Sequence, residues 1–275
     1  MSSPRYVDSI NAALRDLLAD ERTFLLGEDI CDPYGGAFKA TRGLSTDFPD
    51  RVLNMPISEA GFTGIAIGMA MRGLRPIVEI MFSDFLTLIA DQLVNGAAKF
   101  EYMYNGQVKV PLVIRTPSGG RRGYGPTHSQ SLETMFFHIP GISIVAPSLW
   151  HDPGACLKKA VEAECPTLFI EGKSLYPERL HGDSTETVYL GSESPKIAII
   201  AYGNMASLAY EVCKNYENVQ LVIPSEIGEP VISKAVRDCF FIDYPLTPIP
   251  SAPRLEQAAL IQVDDIRAEI ERCLK

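Results

Sequence analysis

Residues 56–85 read PISEAGFTGIAIGMAMRGLRPIVEIMFSDF, and the order of patterns within them decides the fold. Small and apolar residues from about 60 to 72 predict a helix, and RPIVEI (75–80) predicts a β-branched strand directly after it. Gly61, Gly64 and Gly68 fall three and four apart, so on a helix they line one face; Ala60, Ala66 and Ala70 add further small side chains. Glycine costs a helix interior about 1 kcal/mol relative to alanine. Three on one face therefore predict the close approach of another backbone. Glu59 enters this helix between apolar neighbours, where exclusion from water would favour its neutral form. The plainer reading is a favourable charge on the helix dipole, with Ser58 as a cap.

The alternation continues outward. TFLLG (23–27), PLVIRT (111–116), ISIVAP (142–147) and TLFIEG (167–172) are further strand candidates, with helices expected at 84–100 and 151–163. In 84–100, Phe85, Leu88, Ile89, Gln92 and Leu93 follow a period near 3.6. Val7, Ile10, Leu14, Leu17 and Leu18 form one face of an N-terminal amphipathic helix. Strands alternating with helices predict βαβ units and a mainly parallel sheet covered on both faces. The polar, turn-rich segment near 181–195 is the expected linker between a first domain (1–180) and a shorter second one (196–275), in which KIAIIAYGN and VQLVIP restart the pattern. Prolines 245, 248, 250 and 253 predict irregular structure in DYPLTPIPSAPRLEQ.

Composition narrows the function classes. A net charge of −9 and a pI near 5.0 argue against a nucleic-acid surface. The apolar run GFTGIAIGMAMRG is too short and glycine-rich to span a bilayer. The N-terminus lacks a signal peptide's basic start and apolar middle, so a cytoplasmic location is expected. Six cysteines are scattered without a CxxC pair, which predicts reduced, mostly buried thiols and no metal site on this chain.

GxGxxG and GxxxxGK[ST] are both absent. The loop GGRRGYGPTH (119–128) is either ordinary surface or a flexible active-site loop carrying Arg121, Arg122 and His128. Of the four histidines, His128 alone lies in a loop dense with glycine and polar side chains; His138 and His151 flank prolines, and His181 lies in the expected linker.

GEDICDPYGGAFKATRGL (27–44), the 56–85 stretch, DQLVNGAAKF (91–100), PLVIRTPSGG (111–120) and THSQSLE (127–133) occur in this order. Together they resemble the beta subunit of the thiamine-diphosphate-dependent decarboxylating component of 2-oxo acid dehydrogenases, of the pyruvate, branched-chain and acetoin type. The resemblance covers about residues 4–180 and continues more weakly to the end. It implies an α/β thiamine-diphosphate-binding fold, a parallel sheet flanked by helices, followed by a truncated transketolase C-terminal-like domain. It implies that Glu59 hydrogen-bonds N1′ of the cofactor's pyrimidine and drives its tautomerisation, that Phe85 lies against that ring, and that Ile57 and Met81 line the pocket. His128 matches a histidine that faces the substrate.

The resemblance also implies what this chain lacks. The GDG…N motif that holds diphosphate and Mg²⁺ belongs to the alpha subunit; HGDS, with Asn204 downstream, has the wrong spacing. An alpha partner in an α₂β₂ heterotetramer and a small 2-oxo acid substrate are therefore expected, with no nucleic acid or membrane. The small-faced helix is where alpha and beta chains of the family pack. The shortened C-terminal domain puts docking to an acyltransferase core in doubt. Carbonyls at positions matching Leu112, Ala160, Val161, Ala163 and Cys165 hold a monovalent cation in the family; the acidic and amide residues usual at the last two are absent, so no ion is expected. Two alternatives stand beside this reading. One is an acyloin-forming or transketolase-like split carboligase working without a lipoyl acceptor, in which Arg121 and Arg122 hold an anionic substrate. The other is a non-catalytic scaffold.

Overall fold

Alternate residues of the central strands are apolar and point to opposite faces, so helices must cover both. The computed structural model, which describes residues 3–227 and 249–274, has this arrangement. Strands β1 (Thr23–Gly27), β2 (Val52–Asn54), β3 (Arg75–Glu79), β4 (Val113–Ser118), β5 (Ser143–Val145) and β6 (Thr167–Gly172) form one sheet in the order β2-β1-β3-β4-β6-β5. Every pair in it is parallel. Leu25, Ile77, Val113 and Phe169 face one core with helices α1 (Tyr6–Leu17) and α5 (Pro153–Glu162). Their neighbours Leu26, Val78, Ile114 and Leu168 face the other, with α3 (Glu59–Met71) and the helical segment 83–103. A single turn, α2 (Leu44–Asp47), precedes β2.

Local chemistry starts and stops these elements. Asp152 accepts from the amides of Gly154 and Ala155 at 3.0 and 3.2 Å and Pro153 follows it, a favourable start for α5. A Cβ on Gly154 would lie 2.5 Å from the Ser9 carbonyl oxygen, so glycine is what lets α1 and α5 pack this closely. The glycine stripe of α3 behaves otherwise. Gly64 and Gly68 face outward and an added Cβ would meet nothing within 4 Å, while Phe62, Ala66, Ile67 and Ala70 point inward. The expected close approach at Gly64 and Gly68 is thus not made among the described residues.

Beyond β6, β7 (Val188–Gly191), β8 (Ile197–Ile200) and β9 (Val219–Ile223) form a second sheet in the order β7-β9-β8. β7 is antiparallel to β9 and lies inside the segment expected to be linker. Helices α6 (Gly203–Cys213) and α8 (Val263–Leu274) close its core through Ala206, Ala209, Ile266 and Ile270. Contrary to the expectation from the prolines, a short helix α7 (Pro253–Ala259) forms with Pro253 in its first turn, where the missing N–H costs nothing. Prolines 245 and 248 lie outside the described residues.

The expected helix at 84–100 has a mixed pitch: a 3₁₀ stretch Ser83–Ile89, a π-helical turn Gln92–Ala97, then α4 (Ala98–Met103). Among the described residues no helix is long and apolar enough to cross a membrane, and no group of three or more His, Cys, Asp or Glu side chains is placed to hold a metal ion.

Candidate active site

Ligands of open parallel sheets bind in the crevice outside the carboxyl ends of the strands. The predicted residues follow the strands at that end, together with Glu28 and Lys173, which were not predicted. Glu28 follows β1, Glu59 follows β2, Met81 and Phe85 follow β3, the loop 119–128 follows β4, and Lys173 follows β6.

Glu59 occupies the first position of α3 and is 7% exposed. Ser58 does not cap that helix with its side chain; its Oγ instead lies where a Cβ on Gly61 would be, 2.7 Å away. Beside Glu59 stands Glu28, which the sequence reading missed although it directly follows a predicted strand. Burial, then the charges of Glu59 and Asp29, raise the Glu28 carboxyl above the ordinary glutamate range, against a hydrogen bond from the Ser58 backbone. Glu28 Oε1 is buried without a hydrogen-bond partner among the described residues. Two carboxyl groups thus meet at the mouth of α3, one of them carrying an unused polar atom.

The second half of the site is aromatic. The His128 ring stands edge-on to Phe82 and Phe85, with centroids 4.7 and 5.4 Å away, and its Nδ1 lies 2.9 Å from Thr127 Oγ1. Phe38 stacks on Tyr176 at 5.1 Å and meets Phe82 and Tyr124 edge-on. His128 and Phe85, predicted separately, therefore share one cluster. Met81 is half-buried just after β3, whereas Ile57 is 86% exposed, with no pocket built around it among the described residues.

Beneath the loop lies Lys173, fully buried and also missed from the sequence. Its Nζ donates to the His128 carbonyl and sits over the Phe82 and Tyr124 rings, 5.0 and 5.7 Å from their centroids. Burial pushes this ammonium down to about 8, although the charges of Asp84 and Glu256 work against that fall. Asp84 accepts from Gln130 Nε2 at 2.9 Å, and the hydroxyl of Ser83 donates to the Gln130 carbonyl. The segment after His128 is thereby tied to the start of the 3₁₀ stretch.

Arg121 and Arg122, candidates for holding an anionic substrate, are placed on carbonyls of their own chain. Arg121 Nη2 donates to the Ile261 oxygen at 2.7 Å and Arg122 Nη2 to the Lys173 oxygen at 3.0 Å. Arg75 behaves similarly: its Nη1 donates to the Val161 and Ala163 carbonyls at 3.2 and 3.1 Å. Two of the carbonyls matched to the family's cation site are thus engaged by a guanidinium.

Below the site, on the three adjacent strands β3, β4 and β6, Arg115 joins Glu79 and Glu171. Nη1 is 2.9 Å from Glu79 Oε2, Nη2 is 2.9 Å from Glu171 Oε2, and Nε is 2.7 Å from Glu171 Oε1. The Tyr176 hydroxyl donates to Glu171 at 2.7 Å. Burial opposes the charge on Arg115, but Glu171 and Glu79 more than compensate and hold its pKa above the ordinary value; burial raises Glu79. No sequence pattern announced this triad.

Comparison with known proteins bears on this arrangement. The family described as transketolase, pyrimidine binding domain, matches residues 3–179. The beta-2 subunit of the mitochondrial pyruvate dehydrogenase E1 component of Oryza sativa subsp. japonica is 32% identical over 323 aligned positions, covering 98% of this chain and 86% of that protein. With 275 residues here, the rice subunit carries segments that this chain lacks. The beta subunit of 2-oxoisovalerate dehydrogenase of Bacillus subtilis is 37% identical over 227 positions, 79% of this chain and 69% of that protein. In structure, the inactive beta4 tetramer of a split-gene transketolase superposes with a TM-score of 0.70 at 18% identity, covering 99% of this chain and 98% of that one. The chain belongs to the transketolase pyrimidine-binding family and, within it, to the beta subunits of 2-oxo acid dehydrogenase E1 components.

Proposed function

We propose that this chain is the beta half of a two-chain, thiamine-diphosphate-dependent enzyme that decarboxylates a 2-oxo acid and passes on the acyl unit. One observation carries the reading: a buried Glu59 paired with Glu28 at the carboxyl edge of the sheet, facing the same edge as His128 on Phe85. The donor set suits the cofactor's aminopyrimidine. Glu28 Oε1 is a buried oxygen without a partner among the described residues, and Phe85 offers a half-buried ring face. Thiamine diphosphate, when bound, supplies an electron-accepting thiazolium for the electron pair released as carbon dioxide leaves.

This chain's residues do the rest. Glu59 would face pyrimidine N1′ of the bound cofactor and exchange a proton with it, its burial keeping water from competing. Glu28, its carboxyl raised by burial and by the charges of Glu59 and Asp29, stands beside it as a second carboxyl. His128 presents its Nε2 to the substrate, while Phe82 and Phe85 fix its ring and Lys173 its backbone. Mg²⁺ and diphosphate ligands are assigned to an alpha partner in an α₂β₂ assembly. The outward Gly64 and Gly68, with the exposed Ile57 and Ile65, give that partner a surface on which its backbone can approach closely. Docking to an acyltransferase core is not part of the proposal, because the second domain is short.

The test is calorimetry with thiamine diphosphate and Mg²⁺ on the chain alone and with its alpha partner, repeated for Glu59→Gln. Tight binding should need the partner. The Glu59→Gln assembly should still bind the cofactor but lose about 10²–10⁴-fold in turnover and in C2–H exchange by NMR. Unchanged exchange would remove Glu59 from the mechanism, and tight binding to the isolated chain would end the split-site reading.

A further inference from the structure

The glycine-rich loop is held from a direction the proposed chemistry does not use. Glu256, on α7 of the second domain, is 4% exposed. Its Oε1 accepts from the Arg121 amide and its Oε2 from the Gly123 amide, each at 2.8 Å. Both oxygens of one buried carboxylate are thus spent on the middle of the loop. Around them, Leu260 packs so closely on Gly120 that an added Cβ would lie 2.9 Å from its Cδ1, and Arg121 Nη2 donates to the Ile261 carbonyl. Ser251 lies against the other side, its carbonyl oxygen 3.2 Å from where a Cβ on Gly123 would stand.

Arg121 adopts φ +73°, a left-handed conformation that costs a non-glycine residue free energy and persists only when its surroundings hold it. Two amides converging on one carboxylate provide such a hold, because hydrogen bonds to an ionised acceptor are stronger than neutral ones. The far end of the loop is secured differently, by Lys173 Nζ on the His128 carbonyl and by Arg122 on the Lys173 carbonyl. Glu256 is therefore one fastening, beside Arg121 on the Ile261 carbonyl, between the second domain and the loop that carries Tyr124 and His128.

We propose that Glu256 is a positioning residue: through the amides of Arg121 and Gly123 it latches the loop 119–128 in the conformation that presents His128 to the substrate. The substrate part of this inference rests on the proposed function of His128; the latch itself does not. The second domain would then contribute to turnover without touching the reacting atoms.

Arg121 and Arg122 provide the assay, since trypsin cleaves after both only when the loop opens. In the full-length protein assembled with its alpha partner and cofactor, Glu256→Ala should speed cleavage at these two positions by about tenfold or more, the factor expected from losing a charged hydrogen bond. It should also raise KM for the 2-oxo acid or lower kcat, with thiamine diphosphate affinity and the circular dichroism spectrum unchanged. Glu256→Gln retains one acceptor oxygen, so it should fall between wild type and alanine in both readouts, and it carries the test should the alanine variant fail to fold. Cleavage unchanged from wild type in the folded variants would overturn the latch and leave the role of His128 untouched. Faster cleavage with unaltered turnover would overturn the positioning role and leave the placement of His128, which Lys173 holds separately, to the His128→Ala measurement.

Discussion

Replacing Arg115 with methionine removes the only positive charge of a triad in which both carboxylates are shut off from water. Glu79 is 6% and Glu171 0% exposed, and the methionine keeps most of the methylene packing while deleting all three short contacts. Breaking a buried pair by removing one partner costs about 3–5 kcal/mol. For a chain of this size that corresponds to a fall in unfolding temperature of about 6–20 °C, at about 2–4 °C per kcal/mol. The variant has one escape, which is to protonate one of the two carboxyls. Its native state would then hold one more proton at neutral pH than its unfolded state, where both glutamates are ionised. Stability of the variant must therefore fall as pH rises, by about 1.4 kcal/mol per pH unit for one proton. The wild type, with the arginine in place, should show a much shallower slope between pH 6 and 8. Thermal and urea unfolding of both proteins at pH 6, 7 and 8 would measure the loss and the slope. A loss below about 1 kcal/mol at pH 8, with parallel pH profiles, would mean that the triad contributes no more than an exposed ion pair and would refute the reasoning.

Further outcomes are expected. His128→Ala should leave cofactor C2–H exchange near the wild-type rate while turnover falls by about 10²–10⁴-fold; equal losses in both would reduce the histidine to an organiser of its loop. Lys173 has a folded pKa near 8, below that of an unfolded lysine, so the wild type should gain stability as pH climbs from about 8 to about 10.5. Lys173→Met should abolish that gain in thermal unfolding, and an unaltered profile would show that another group is responsible. Arg75→Ala leaves the Val161 and Ala163 carbonyls without their donor and should cost about 1–3 kcal/mol in urea or thermal unfolding; unchanged stability would show that these hydrogen bonds contribute nothing net.

Much of the first domain was legible because its strands are buried on both faces and therefore read as unbroken apolar runs. β1, β3 and β6 fall where TFLLG, RPIVEI and TLFIEG place them. β4 runs from Val113 to Ser118, displaced from PLVIRT (111–116), because its pairing with β6 continues through Pro117 to Ser118. β7 was hidden because an antiparallel edge strand alternates half-buried and exposed residues, so its composition resembles a linker. The helix after β3 was found by its apolar spacing, yet spacing did not disclose that the pitch changes twice along it. At the site, Glu59, Phe85 and His128 came from ordered motifs. Glu28, Lys173 and Glu256 did not: their significance lies in burial and in partners up to 135 positions away, which a local pattern does not carry.

That change of pitch has a consequence for how the site tolerates insertion and deletion. Asp84 and Phe85 lie on the tight 3₁₀ stretch, whereas Phe100 packs from α4, and the wide turn Gln92–Ala97 sets the angle between them. An α-helix advances about 100° per residue. Six residues bonded i→i+5 turn the chain about as far as five bonded i→i+4, so removing one residue from the wide turn, with relaxation to ordinary pitch, would leave Phe85 nearly in phase with Phe100. A deletion in α4, where the pitch is already ordinary, would instead shift the phase by about 100° and swing the aromatic face and the carboxylate that receives Gln130 away from the crevice together. The wide turn thus holds one residue of slack, and the azimuth of the ring beside His128 would survive the loss of that residue.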